Sequence, residues 1–145
     1  MQLSPNFSLK ELTASETAER HGIDNTPSPE IIENLKQLAA ALQEVRTLLG
    51  NKPISINSGY RSPEVNAKLG SKPTSDHCKG LAADFICPSF GSPDEIVRAI
   101  MGSSISYKQV IREFDRWVHF AIPATGEEPR RQALIIDKEG TRNYA

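Results

Sequence analysis

Cysteine, histidine and tryptophan are all scarce in this chain, with two, three and one copies in 145 residues. Two cysteines, Cys78 and Cys87, cannot make a disulfide framework or an all-cysteine metal knuckle, and their spacing is not that of a CxxC redox pair. Free thiols are expected. Charge of neither sign is in excess: 17 Lys and Arg face 18 Asp and Glu, for a net −1. That balance argues against nucleic acid or an anionic membrane as partner, because no surplus of positive charge is available to displace counterions. No stretch approaches the ~18 consecutive apolar residues of a membrane span. The start, Met1-Gln2-Leu3-Ser4-Pro5, lacks the basic residues and apolar run of a secretory signal. Synthesis as a cytoplasmic chain is therefore expected, with some other exit route for any work outside. Repeats, low-complexity tracts and long linkers are missing too, so residues 1–145 read as one domain. A chain of this length buries roughly 68–70% of its unfolded surface, enough to fold as a monomer without staples.

What is present is well punctuated. Ser8 can cap a short helix over Leu9 to Leu12, and Ser15 a second that Gly22 ends. Asn25-Thr26-Pro27 reads as a turn. Ser28-Pro29 then puts a capping hydroxyl before a first-turn proline. From there Ile31, Leu35, Leu38, Leu42, Val45 and Leu49 recur at steps of four and three residues, an amphipathic helix of about five turns closed by Gly50. Ser62-Pro63 and Ser92-Pro93 start two further helices, the first ending at Gly70. Strands are expected at Ile54–Ser58, Leu81–Ile86, Gln109–Phe114, Trp117–Ile122 and Gln132–Ile136, with 71–80 as loop. Helices first and closely spaced strands later predict an α+β domain, an antiparallel sheet covered by helices.

The chemistry concentrates in few residues. His77 is followed seven residues later by Asp84, inside an otherwise apolar strand where an uncompensated carboxylate is costly. A cation or a set of donors must compensate it; a chain-capping aspartate is the bland alternative. In Trp117–Ile122, Val118, Phe120 and Ile122 form one face, and His119 lies on the other with Trp117 and Ala121. Alone, His119 would read as a solvent-side residue. Together, two histidines and an aspartate are the three-ligand set of a catalytic zinc, which keeps a fourth position open.

The segments Ser58-Gly59-Tyr60-Arg61-Ser62-Pro63-Glu64-Val65-Asn66, Ser75-x-His77-x-x-Gly80-x-Ala82-x-Asp84 and Trp117-x-His119 resemble the zinc peptidases of the D-Ala-D-Ala carboxypeptidase family. That family includes vancomycin-resistance D,D-dipeptidases and phage L-alanyl-D-glutamate endolysins, and shares its fold with the hedgehog signalling domain. The likeness runs in order from about residue 5 to residue 136. It implies a hedgehog/DD-peptidase-like domain, Zn²⁺ bound by His77, Asp84 and His119, and hydrolysis of peptide bonds in the stem peptides or cross-links of bacterial peptidoglycan. With no signal recognised, it further implies a phage or prophage lysis enzyme released to the wall through a holin.

The same resemblance implies a general base three or six residues before the last histidine. The third position is Arg116, so Glu113 is the candidate and Asp115 the reserve. If Glu113 sat directly across a hairpin from His119, both would share a face, which predicts a long loop holding Asp115, Arg116 and Trp117. Arg61 is the implied partner of the scissile carbonyl oxygen or of a substrate carboxylate. Ser75 is implied to hold substrate or ligands, against a plain capping role. Tyr60 and Trp117 are assigned to the cleft wall, with core packing the alternative. Cys78 as nucleophile would need a base and orienter that the sequence does not supply. Endopeptidase is the leading activity and D-Ala-D-Ala carboxypeptidase the second. The rivals are a non-catalytic peptide- or partner-binding module of the same fold and a metal-free structural domain.

Overall fold

Serine hydroxyls start every helix among the described residues of the computed structural model, which are 1–144. Ser8, Ser15, Ser28, Ser62 and Ser92 accept from the backbone N–H three residues on, at 3.1–3.3 Å. They open α1 (Leu9–Thr13), α2 (Glu16–His21), α3 (Pro29–Leu48), α4 (Pro63–Lys68) and α5 (Pro93–Met101). Proline occupies the first turn of α3, α4 and α5, where its missing N–H costs nothing. The α3 stripe does what its periodicity predicts: Leu35, Leu38, Leu42 and Val45 are fully buried. Burying each such side chain contributes roughly 1.5–3 kcal/mol. No helix of the described residues is long and apolar enough to cross a membrane.

The strands are β1 (Gln2–Ser4), β2 (Phe7–Ser8), β3 (Ser55–Ser58), β4 (Ala82–Ile86), β5 (Gln109–Glu113), β6 (Trp117–Ala121), β7 (Gln132–Asp137) and β8 (Gly140–Asn143). The first two pair with each other; the rest form one six-stranded sheet in the order β3-β4-β6-β5-β7-β8. Ala83, Phe85, Val110, Val118 and Phe120 point from one face into a core shared with α3 and α5. The opposite face is open, and the alternation of side chains places Asp84 and His119 there.

Three expectations need correction. The sheet is mixed, not antiparallel throughout, because β7 runs parallel to β5. The ten-residue connection 122–131 carries the chain back past β6 to the free edge of β5, where Arg131 and Gln132 N–H groups bond the Tyr107 and Lys108 carbonyls. Residues 71–80 are not all loop: Asp76–Lys79 form a 3₁₀ turn closed by Gly80 in the left-handed conformation, φ 73°. The β5–β6 link is three residues, Phe114, Asp115 and Arg116, and Trp117 already belongs to β6. Phe114 and Asp115 take φ of 53° and 54°, and Arg116 N–H bonds the Glu113 carbonyl at 2.9 Å, which makes the turn tight. Glu113 thus pairs with Trp117, and Ile111 pairs with His119. Glu113 lies diagonal to His119, not opposite it, yet on the same face.

Candidate metal centre

His77 is buried, and its ring is aimed by backbone. Its Nδ1 lies 2.8 Å from the Gly59 carbonyl oxygen, which can only accept, so the proton sits on Nδ1. That leaves Nε2 turned onto Asp84 Oδ1 at 3.3 Å, a donor to the carboxylate when the ring is protonated and a lone pair when it is neutral. The 3₁₀ turn fixes this pose from below, with Ser75 Oγ accepting the His77 N–H at 3.2 Å. From the next segment the Arg61 N–H reaches the His77 carbonyl at 3.1 Å.

Asp84 sits mid-strand in β4, in register with Ser58 on one side and His119 on the other. His119 Nδ1 lies 2.9 Å from the same Asp84 Oδ1. The two imidazole rings are 5.1 Å apart at 61°. Burial alone would raise the Asp84 pKa, but the hydrogen bonds and charges of His119 and His77 outweigh it and hold the carboxyl well below its ordinary range. One ligand atom from each of His77, Asp84 and His119 falls within 4.8 Å of the others. An imidazole nitrogen and a carboxylate oxygen this close need a positive charge between them, which either a proton or a metal ion supplies. Two imidazoles and one carboxylate with a side open to the cleft are the donor set of a catalytic zinc, and they fit that ion.

Around this cluster runs a cleft of about 810 Å³, with Arg61, Ser75, Gln109, Ile111, Glu113 and Trp117 among its walls. A second lobe of about 620 Å³ extends along β3 and the start of α2, and the two meet at Arg61, Leu69, Asp84 and Trp117. Glu113 enters as a half-buried carboxyl. Burial and the neighbouring Asp84 charge raise its pKa, while His119, His77 and the Trp117 indole pull it down; the first two prevail. The indole Nε1 itself is buried without a partner at full hydrogen-bond geometry. Arg61 is braced by Ser58 Oγ at 3.0 Å, Ser71 Oγ at 3.3 Å and Asp84 Oδ2 at 3.4 Å. Of five guanidinium N–H donors, those three contacts leave two free for the cleft.

Other assigned residues land elsewhere. Tyr60 is 6% exposed, packs in the hydrophobic core and lines neither lobe, while its backbone N–H bonds the Leu12 carbonyl. Asp115 projects from the hairpin tip, 66% exposed, and pairs with Arg112 at 3.0 Å. Ser75 lines the cleft and caps the 3₁₀ turn at once. Burial raises the partly buried Cys78 thiol, which works against a thiolate nucleophile. His21 is exposed at the end of α2.

Two contributors carried no signal as site residues. Asn25, read only as part of a turn, donates to the Thr13 and Tyr60 carbonyls and accepts the Ser62 N–H at 2.7 Å, clamping the segment that carries Arg61. Gly59 acts through its carbonyl, which no side-chain motif reports.

The geometry invites comparison with known proteins. Over 50 residues, the chain is 42% identical to the zinc D-Ala-D-Ala carboxypeptidase of Streptomyces albus G. That stretch is 34% of this chain and spans about a fifth (20%) of the relative's length. A family model described as Peptidase M15 matches residues 5–121, which include every residue of the His77–Asp84–His119 cluster together with Arg61 and Glu113. The chain belongs to the Peptidase M15 family.

Proposed function

We propose that the protein is a zinc peptidase hydrolysing peptide bonds of bacterial peptidoglycan, with His77, Asp84 and His119 as the metal ligands. The observation that carries this reading is the pose of His77, whose Nε2 is turned onto Asp84 beside His119 by the Gly59 carbonyl. Zinc bound there supplies Lewis acidity toward the peptide carbonyl and toward water. Glu113, on the same sheet face, takes the proton from the attacking water and returns it to the departing amine. Arg61 turns its free N–H donors to the carbonyl oxygen as charge develops on it. Asp84 supplies one negative charge to the site, and Gly59 keeps the His77 tautomer, the kind of outer contact that tunes a metal ligand.

Within that class, endopeptidase action is the favoured reading, supported by a groove that continues on both sides of Arg61 and Asp84. Carboxypeptidase action on terminal D-Ala is the second, supported by the name of the Streptomyces relative. A hedgehog/DD-peptidase-like arrangement of the sheet, and a role as a phage or prophage lysis enzyme working at the wall as a monomer, belong to the same proposal and rest on the likeness of the motifs. The deciding experiment incubates the purified protein with sacculi, with and without chelator, and weighs the released fragments. Chelator-sensitive release supports the peptidase and names the bond. Zinc content near one per chain without release marks a binding module, and absence of zinc sinks the reading.

A further inference from the structure

The family match ends at residue 121, yet the cleft does not. Its far wall is built by β7, from the C-terminal hairpin: Ile136 lines the cleft beside Ile111 and Glu113. The register explains why. Ile136 is the parallel partner of Glu113, and its carbonyl accepts the Phe114 N–H at 2.8 Å. Residues paired across adjacent strands stand side by side on one face, ~4.8 Å apart between strands. Two residues earlier in β5, Ile111 faces the same way. At the other end of the pair Gln109 Nε2 donates to Gln132 Oε1 at 2.9 Å, which pins the two strands on the cleft side.

Given the peptidase reading above, with Glu113 returning a proton to the departing amine, the residue bearing that amine must lie next to Glu113. Beyond Glu113 the substrate then meets Ile111 and Ile136. Elsewhere the cleft lining is polar, with Ser71, Lys72 and Thr74. We propose that Ile136 is a specificity-determining residue, forming with Ile111 an apolar seat for a small uncharged side chain on the amine side of the cleaved bond. An acidic residue there meets the Glu113 carboxylate and an isoleucine surface together and is rejected on both counts. Endopeptidase action by this chain therefore falls on a bond with a neutral residue on its amine side and not on the L-alanyl-D-glutamate bond.

The test uses the zinc-loaded full chain and the soluble stem pentapeptide L-alanyl-γ-D-glutamyl-L-lysyl-D-alanyl-D-alanine. Added peptide shifts the Ile111 and Ile136 methyl resonances in saturable fashion; binding that leaves Ile136 unmoved, or no binding, overturns the proposal. Once fragment masses name the bond, peptides carrying alanine or aspartate on its amine side separate seat from scaffold. The wild type favours alanine by about ten-fold or more in kcat/KM, the range one mismatched group in a pocket commands. Ile136→Ala raises KM for the alanyl peptide about ten-fold with kcat nearly unchanged, the mark of lost uniform binding. Ile136→Lys moves the preference toward aspartate. If both variants melt near the wild-type temperature and keep the wild-type preference, the proposal is overturned. Methyl shifts without any hydrolysis by the wild type would leave the seat standing and sink the peptidase reading instead.

Discussion

Glu113 stands one strand from His119 and shares a cleft with Asp84, so its carboxyl answers to opposing charges at once. Glu113→Gln keeps the shape and removes only the carboxylate proposed to accept the proton. Zinc content stays near the wild-type value while kcat falls by about 10²–10⁴-fold, the usual worth of a positioned acid–base group; near-wild-type turnover in sacculus assays would falsify its role. Gly59 is a different kind of residue. A Cβ there would press into the backbone of Leu12 at its carbonyl, so Gly59→Ala must push away the carbonyl that orients His77. Loss of such an outer contact costs about 10–100-fold in metal affinity, readable by competition with a zinc chelator dye. The contrast marks what sequence can carry. The grouping of His77, Asp84 and His119 is legible because candidate metal ligands come from few residue types and only three histidines exist. Gly59 and Asn25 act by where their backbone and amide reach, and Tyr60 packs in the core, none of which a motif encodes.

Among the elements, the helices were the readable part, since a serine cap, a first-turn proline and a buried stripe are all local to α3, α4 and α5. Strand partners are not local. Nothing in Gln132–Asp137 tells whether it joins β6 or β5, and Gly140–Asn143 holds no apolar residue to betray a strand. The polar β8 makes a blunt sheet edge of the kind that resists further pairing. What fastens this hairpin from behind is Tyr144, whose hydroxyl donates to Asp94 at 2.9 Å while Arg112 and Arg98 bind the same carboxylate at 3.0 Å. Burial, then the bond to Asp94, pushes the Tyr144 pKa up to about 12. An unfolded tyrosine releases its proton near pH ~10. Between those values the folded chain keeps a proton that the unfolded chain has lost, so this contribution is complete below pH ~10 and disappears as pH rises toward 12. Urea melts of wild type and Tyr144→Phe across that window should therefore converge at the alkaline end. A stability gap between the two that stays constant from pH ~9 to ~12 counts against the clasp.

The whole molecule is closed by residues far apart in the chain: His77 from the 3₁₀ turn, Asp84 from β4 and His119 from β6. Adjacency of β4 and β6 sets Asp84 directly opposite His119, and only the α4-side segment, through Gly59 and Arg61, brings His77 to them. That convergence depends on sheet order, which the spacing of three residues cannot express; the ordered series of motifs hinted at it, and the strand register accounts for it. A metal that ties these segments binds the folded chain far better than the unfolded one, so it must add to stability by mass action. Free zinc at 1,000 times its dissociation constant contributes about 4.1 kcal/mol. For a chain near 150 residues each kcal/mol moves Tm by roughly 2–4 °C, so chelation should lower Tm by roughly 8–16 °C. Calorimetric scans with and without chelator measure it directly. His119→Ala supplies the control, since with one ligand gone its Tm should respond little to chelator, whereas Ile136→Ala keeps the full response. A wild-type Tm indifferent to chelator would mean that the three side chains hold one another and no ion.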